Sequence, residues 1–424
     1  MNSTALSLIS GVNHKNMSNS FLNKVAIDFK IYMLIILSCG ILFKGDFVPS
    51  LVNILLWILL GASLFFKIKS FNLKNALIPL FVCFFFSLLF IVRAEDVVSN
   101  FKVLFSLLVA VLFVLAYQKE EIINSFIRVV SFLAIISIPL FIIYSLYPSF
   151  PSLFIIADSY GHIYKTWFTF AYIVGSNRNG SIFWEPGAFQ TFINLALLFE
   201  ISKSKQRFGF VAVLSIALIT TFSTTGYIAY AMIMALFVVK KVFYEKGKHR
   251  LVIPLIIVLF TILLLFVFKD SIFTDDQNSV FGKIFTFFEY KEYTNTRGIT
   301  TSASTRYFSL IKPLEEFVKS PIFGIGKDKL VEKTYPYLQG NLTCTFINWL
   351  AIYGIFYGGI LIFGYFKLGY LLFNKKIILT ILCFASIFVL TMSENYVTYA
   401  VFYVFPFLSY VRKTKENKYG KCCA

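Results

Sequence analysis

The sequence predicts an all-α, polytopic integral membrane protein with about twelve transmembrane helices and a large loop on the outer side. The chain has 424 residues, of which 58% are hydrophobic, and its mean hydropathy is +0.77. That apolar share is far above what soluble domains carry. Apolar runs recur along the whole chain, and basic residues concentrate in alternate connections between them. Together these observations place the protein in a bilayer.

Twelve apolar runs are long enough to cross the hydrocarbon core, because tilt and short helices are tolerated around a length of about 20 residues. The first, sixth and eighth are the shortest. The predicted spans are residues 30–43, 48–66, 77–92, 103–117, 127–147, 188–201, 208–222, 227–239, 251–268, 346–366, 377–392 and 397–411.

The basic residues predict the orientation. Most of the 39 Lys and Arg residues fall on one side of the membrane, in connections such as KIKSFNLK and KKVFYEKGKHR, whereas the short opposite connections GDFVPS, STTG and SENY have none. This positive-inside pattern places both termini in the cytoplasm. The net charge of +18 therefore indicates topology and a match to anionic membrane lipids. No alternation of basic and aromatic residues suggests a nucleic-acid partner.

Two outer connections are long, which favours a functional role for them. We expect one membrane domain over residues 1–424, with a first long periplasmic loop at 148–187 and a large periplasmic loop at 269–343. Within the large loop, YFSLIKPLEEFVKS predicts a helix that ends at Pro321.

The spans themselves argue against ion-coupled transport. Ion-coupled transporters need ionisable groups near the bilayer midplane, and every charged residue of the predicted spans lies at an end, as Glu200, Asp28 and Lys30 do. No spacing of Cys and His residues predicts a metal site, and we expect neither a metal nor another cofactor. These observations leave open a protein whose chemistry takes place at the outer face of the membrane.

Four motifs carry a resemblance to a known family. SIFWEPGAFQTFINLAL at 181–197, FSTTGYIAY at 222–230, SPIFGIG at 320–326 and FINWLAIYGIFYGG at 346–359 follow one another around the large outer loop. In this order the set resembles the O-antigen polymerase and ligase superfamily, from Arg178 onward.

The resemblance implies a GT-C-like, metal-independent membrane glycosyltransferase in the bacterial inner membrane. Such an enzyme transfers a glycan from its undecaprenyl-pyrophosphate carrier to the non-reducing sugar of another lipid-linked repeat unit, at the periplasmic face. Undecaprenyl-pyrophosphate-linked glycans are then the substrates, and a chain-length regulator protein is an expected partner.

Arginines are the first candidates for the site. The leaving pyrophosphate develops negative charge, and without a metal that charge must be compensated by guanidinium groups or amides. Arg178, Arg297 and Arg306 are the arginines of the two long outer loops, and Arg93 is the other outer arginine. We predict Arg178 and Arg306 as catalytic and Arg297 as substrate-binding. Alternatively, Arg178 lies at the membrane interface and its long side chain extends the charge to the lipid headgroups.

Glu185 is the candidate base. The attacking sugar hydroxyl needs a proton acceptor, and Glu185 lies just before Pro186 at the start of the sixth span, where a rigid element would hold it. The alternative is an acid at a helix N-terminus that interacts with the helix dipole.

Three further residues are predicted to bind substrate. Gly324 and Gly326 follow Pro321 and can bring backbone amides close to a phosphate, although a simple turn also explains them. Trp184 can stack on a sugar ring, although aromatic residues at the outer face also serve as membrane anchors.

The polymerase interpretation has two alternatives. Ligases of this superfamily, which transfer the glycan to lipid A core, have a histidine just before the helix that begins here at Phe346, where this chain has Thr343 and Cys344. The missing histidine favours a polymerase. A flippase of lipid-linked sugars is the alternative from another class, and the uncharged spans and large outer loop disfavour it.

Overall fold

The computed structural model describes residues 3–44, 48–68, 73–93, 97–157, 162–245 and 302–411, and most of them are helical. Up to residue 245 the helices are α1 (Ser3–Cys39), α2 (Ile41–Lys44), α3 (Ser50–Phe65), α4 (Leu73–Arg93), α5 (Val97–Ala116), α6 (Lys119–Leu146), α7 (Pro186–Ser202), α8 (Phe208–Thr220) and α9 (Thr224–Val239), which continues into a π-helical turn at Lys240–Tyr244.

After residue 301 the chain forms α10 (Ser302–Lys319), α11 (Lys327–Leu338), α12 (Thr345–Tyr353), a π-helical turn at Ile355–Gly359, α13 (Ile360–Leu372), α14 (Ile377–Thr391) and α15 (Ala400–Leu408). The predicted helix in YFSLIKPLEEFVKS is confirmed as the body of α10, which ends just before Pro321.

Every predicted span within the described residues coincides with one of these helices, or with two of them in succession. The span at 251–268 lies outside those residues. Among the residues that the structure describes, four helical segments are long and apolar enough to cross a membrane: Ala76–Arg93, Lys119–Leu146, Thr224–Tyr244 and Ile355–Leu372. Shorter apolar helices of 10–17 residues accompany them. The protein is thus helical with candidate membrane spans, and the total of twelve remains a prediction.

The all-α expectation is wrong for the first long loop. It contains a three-stranded antiparallel sheet in the order β1 (Phe154–Ala157), β2 (Ile163–Trp167), β3 (Phe170–Ile173). The strands are rich in aromatic and β-branched residues, which favour extended structure. Strands of four or five residues in a loop give too short a pattern to be distinguished from irregular chain.

The predicted span at 346–366 is also not one helix. It breaks at Gly354, whose φ is +79°, and a Cβ there would lie 2.1 Å from the carbonyl oxygen of Ile322. The amide of Ile355 donates to the carbonyl of Pro321 at 2.8 Å. The break therefore exists because the turn after α10 packs directly against the backbone at this point.

Two central helices organise the packing. All residues of α15 are buried, as expected of a helix that is apolar on all sides. In α7 every residue from Pro186 to Ile201 is buried, including the polar Gln190, Thr191 and Asn194. Aromatic contacts tie α15 to its neighbours: Trp349 stacks on Tyr403 with ring centroids 5.5 Å apart, and Phe126 meets Phe405 at 4.9 Å.

The two ends of α7 differ in chemistry. At its C-terminal end the fully buried Glu200 carboxylate pairs with Lys203 at 2.7 Å and Arg207 at 2.6 Å. Asp28, another charged residue predicted at a span end, pairs with Arg128 at 2.6 Å. The opposite end of α7 begins at Pro186, where the end of the first long loop meets the described part of the second, from residue 302 onward.

Candidate active site

A cavity of about 610 Å³ lies at the N-terminal end of α7. Five parts of the chain form its wall: α5, the residues before α7, the first turns of α10 and α11, the segment between α11 and α12 with the end of α12, and the connection between α14 and α15. The lining residues are Val103, Trp184, Glu185, Thr305, Arg306, Lys327, Gly340, Asn341, Leu342, Thr343, Ile352, Tyr353, Ser393, Glu394, Asn395, Val397, Thr398 and Tyr399. Three predicted residues, Glu185, Arg306 and Trp184, are thus brought together.

Glu185 is the N-cap residue of α7. Its backbone is extended, with φ −145° and ψ 141°, and Pro186 occupies the first helical position. Its side chain makes no capping hydrogen bond and faces the cavity. The carboxylate is therefore not a hydrogen-bonding cap, and both its catalytic role and the alternative of an acid that interacts with the helix dipole remain predictions.

The small sheet supports the backbone before Glu185. Tyr164 of β2 donates its hydroxyl hydrogen bond to the carbonyl of Trp184 at 3.0 Å. One residue earlier, Phe183 forms an isolated bridge with Gly40, and the amide of Ile41 donates to the carbonyl of Ile182 at 2.9 Å. The sheet and the end of α1 thus fix the segment that presents Trp184 and Glu185.

Arg306 lies in the first turns of α10, with Thr305 beside it in the cavity wall. One turn later, Ser309 accepts a hydrogen bond from the amide of Thr343 at 3.2 Å and donates to the carbonyl of Asn341 at 3.3 Å. These bonds hold α10 against the segment that precedes α12. The position of the Arg306 guanidinium is therefore set by an anchored helix.

Arg178 adjoins the site but is not among the residues that line the cavity. Its Nε donates to the carbonyl of Thr221 at 3.0 Å. Burial lowers the pKa of Arg178 below its ordinary value, the nearby Glu185 carboxylate opposes that shift, and Arg306 adds to it. Arg178, Glu185 and Arg306 are therefore close enough to act on one another electrostatically.

Sequence reasoning missed Lys327, at the start of α11, and a second charged residue of the cavity wall, Glu394. Glu394 lies in the short connection between α14 and α15 and lines the cavity. Its backbone carbonyl accepts a hydrogen bond from the Thr345 hydroxyl at 2.8 Å. The sequence feature that could have identified Glu394 is its position in SENY, an outer connection without any basic residue.

Gly324 and Gly326 serve the turn between α10 and α11. Their φ angles are +71° and +90°, which favour glycine. The amide of Gly324 donates to Ser320 at 2.9 Å, and that of Gly326 donates to the carbonyl of Ile352 at 3.1 Å. Both amides are engaged within the protein, and neither glycine lines the cavity. The turn explains these residues, and we assign them no contact with substrate.

Arg93 fastens the same turn. Its guanidinium donates to the carbonyls of Ile352 at 2.7 Å and Gly324 at 2.9 Å, and also to that of Phe323. These contacts hold the turn against the end of α12. Arg297, the remaining predicted arginine, lies outside the described residues, so its predicted substrate contact is not tested.

Trp184 forms one half of an aromatic pair. Its ring stacks on that of Tyr399 with centroids 5.4 Å apart and an interplanar angle of 29°, and both residues line the cavity. The cavity thus combines carboxylates, cationic side chains and an aromatic face. Within the described ranges, no three His, Cys, Asp or Glu residues are grouped so as to hold a metal ion.

This arrangement suits a polar, partly anionic substrate. Arg306 and Lys327 can bind phosphate oxygens, the carboxylates of Glu185 and Glu394 can accept hydrogen bonds from hydroxyl groups, and aromatic rings can pack against a sugar. A carboxylate can also take a proton from a hydroxyl group that attacks an electrophile.

Comparison with known proteins gives one family. Residues 209–362, from α8 to α13, match the family model described as O-antigen ligase. No curated protein matches the chain. The matched segment contains Arg306 and Lys327, whereas Glu185 and Glu394 lie outside it. The match supports the superfamily of O-antigen polymerases and ligases, which are membrane glycosyltransferase-like enzymes of surface polysaccharide biosynthesis, without distinguishing a polymerase from a ligase.

Proposed function

We propose that the protein polymerises undecaprenyl-pyrophosphate-linked oligosaccharide repeat units into O-antigen or a related surface polysaccharide, at the periplasmic face of the bacterial inner membrane. The observation that supports this most is the cavity in which Arg306 and Lys327 face the same space as Glu185 and Glu394. Glycosyl transfer from a pyrophosphate needs these two kinds of group together. Cations stabilise the leaving group, and a carboxylate receives the proton.

The reaction assigns each group a step. The hydroxyl oxygen of the acceptor sugar forms a bond to the anomeric carbon of the donor glycan, and the bond from that carbon to the pyrophosphate oxygen breaks. The hydroxyl proton passes to the Glu185 carboxylate. Undecaprenyl pyrophosphate leaves with the bonding electron pair, and Arg306 binds the resulting charge, assisted by the positive charge of Arg178.

Ligation is the second candidate, and the description of the matched family favours it. A ligase uses the same donor but transfers the finished glycan to lipid A core. The absence of a histidine at Thr343 and Cys344, just before α12, favours the polymerase. The cavity chemistry suits both reactions, since both break the same bond.

A deletion strain distinguishes the candidates through the gel profile of its lipopolysaccharide. Loss of a polymerase leaves core lipid with a single repeat unit. Loss of a ligase leaves bare core lipid together with free, lipid-linked polymer, and this profile would overturn the polymerase proposal. Repeat units that accumulate on the cytoplasmic leaflet would indicate a flippase and would overturn both enzyme candidates. A plasmid copy of the gene should restore the normal ladder.

A further inference from the structure

Two carboxylates from distant parts of the chain meet beside Gly187. A Cβ built on this glycine would lie 2.9 Å from Oε1 of Glu394 and 3.5 Å from Oε1 of Glu185. The two carboxylate oxygens therefore cannot be further apart than the sum of those two distances. The missing side chain of Gly187 leaves room for this approach.

An aromatic residue accompanies each carboxylate. Trp184 directly precedes Glu185, and Tyr399 follows Glu394 on the connection that leads into α15. These two rings stack on one another, and all four side chains belong to the cavity wall. Two segments thus each supply one hydrogen-bond acceptor and one aromatic ring to the same region.

Buried hydroxyl groups fix the two segments relative to each other. Thr191, one turn into α7, donates to the carbonyl of Gly187 at 3.1 Å and contacts the Ser393 hydroxyl at 3.0 Å. The hydroxyl of Tyr396 donates to Thr191 at 2.9 Å. The glycine and the segment that carries Glu394 are therefore joined through one buried side chain, which fixes the two backbone segments that present the carboxylates.

Such a group of side chains matches a saccharide. Ionised carboxylates only accept hydrogen bonds, and a sugar presents several hydroxyl donors around its ring. Aromatic side chains supply a large, rigid apolar surface for the C–H face of the same ring. The cationic residues of the cavity, Arg306 and Lys327, come from other segments, α10 and α11. The cavity therefore has a carboxylate and aromatic part and a cationic part.

We propose that Glu185, Glu394, Trp184 and Tyr399 form the subsite for the acceptor sugar, and that Gly187 is required because any side chain there would push the two carboxylates apart. The proposal rests on the proposed glycosyl transfer, since it assigns one of its two substrates to this part of the cavity. Glu394 is a positioning residue that binds acceptor hydroxyls, whereas Glu185 also receives the proton.

The chain offers a closely matched pair of variants. Gly187 and Gly209 each occupy the second position of an apolar helix, α7 and α8 respectively. Alanine favours a helix over glycine by about 1 kcal/mol, so neither replacement should impair folding through its backbone. A Cβ at Gly209 has no neighbour within 4 Å, whereas one at Gly187 meets both carboxylates. Gly209→Ala is therefore the control for Gly187→Ala.

The probe is the repeat-unit oligosaccharide released by mild acid from the lipid-linked pool of the deletion strain. Its binding to the purified full-length protein in detergent is measured by saturation-transfer NMR titration. We expect Gly187→Ala and Glu394→Gln each to raise the Kd for this oligosaccharide at least tenfold. Gly209→Ala should keep the Kd of the unchanged protein, because a Cβ there leaves the carboxylate and aromatic part unaltered.

A second ligand, inorganic pyrophosphate, tests the alternative role of the carboxylates. Wild-type affinity for the oligosaccharide in both Gly187→Ala and Glu394→Gln would overturn the proposal. Loss of pyrophosphate binding with unchanged oligosaccharide binding would also overturn it, because the carboxylates would then only hold the arginines in place. Failure of the proposed function gives a different result: wild-type protein in vesicles would form no polymer from the intact lipid-linked repeat.

Discussion

Replacement of Gly324 by alanine should separate the turn after α10 from the end of α12. The residue has φ +71°, and a Cβ there would lie 2.6 Å from the carbonyl oxygens of both Ala351 and Ile352. Real Cβ atoms do not approach backbone atoms this closely. Because the obstructing atoms belong to the backbone, a change of rotamer cannot relieve the contact, and the turn itself has to move.

The cost follows from the bonds that such a movement breaks. The left-handed conformation costs alanine about 1 to 2 kcal/mol. The amides of Ile325 and Gly326 would lose their acceptors in α12, at about 1 kcal/mol each. Arg93 bonds to the carbonyl of Ile352 on one side and to that of Gly324 on the other, and the loss of one of these charge-assisted bonds costs about 1.5 to 3 kcal/mol more. The total loss of stability should be on the order of 4.5 to 7 kcal/mol.

The control is Gly175→Ala. Gly175 has nearly the same left-handed conformation, with φ +80°, but a Cβ there has no neighbour within 4 Å. Gly175→Ala should lower the free energy of unfolding only by the cost of the left-handed conformation, about 1 to 2 kcal/mol. Thermal unfolding of the purified variants can be followed with a thiol-reactive fluorophore, since Cys344 and Cys383 are buried in the folded protein. Equal melting temperatures for the two variants would show that the contact between Gly324 and the end of α12 does not stabilise the fold.

Three further predictions concern charge and orientation. Arg306→Ala should abolish long glycan chains at unchanged protein level, and Arg306→Lys should restore them only partly, because an ammonium group cannot copy a bidentate guanidinium; a normal ladder from the alanine variant would remove Arg306 from the site. Glu185→Gln should slow polymer formation from lipid-linked repeats in vesicles on the order of a hundredfold or more, because the amide cannot accept the proton. Glu185→Asp should retain part of the activity. A fully active Gln variant would show that Glu185 is not the base. Reporter fusions should place Lys375 in the cytoplasm and Gly161 in the periplasm, and the reverse pattern would contradict the predicted topology.

The helices were predictable because their signal is local. Apolar runs separated by short polar connections determined where α3 to α9 and α13 to α15 lie, and the same runs made the scarce charged residues stand out. Glu185 and Arg306 were chosen in this way, and the structure places both on one cavity.

The missed features all depend on partners that are distant in sequence. The helix break at Gly354 exists because Ile322 approaches it from another element, and nothing in the apolar run itself predicts a break. Glu394 belongs to the site because it meets Gly187, more than two hundred positions earlier in the chain. Gly324 was predicted to face a phosphate, yet its amide bonds to Ser320 and Arg93 covers its carbonyl. Residue type alone does not tell a glycine that binds a ligand from one that allows two backbones to touch.

Some cavity residues lie inside the segment that matches the family model and others lie outside it, and the two groups differ in charge. This difference fits the proposed chemistry. The matched segment, residues 209–362, contains the cationic Arg306 and Lys327, whereas Glu185 and Glu394 lie outside it, one before and one after. Polymerases and ligases would share the lipid pyrophosphate donor and differ in the acceptor. A cationic part within the matched segment suits the shared donor. The carboxylate and aromatic part, built from residues beyond that segment, then suits an acceptor particular to this chain, so exchange of residues 184–187 and 393–399 between related enzymes should alter acceptor choice while the donor stays the same.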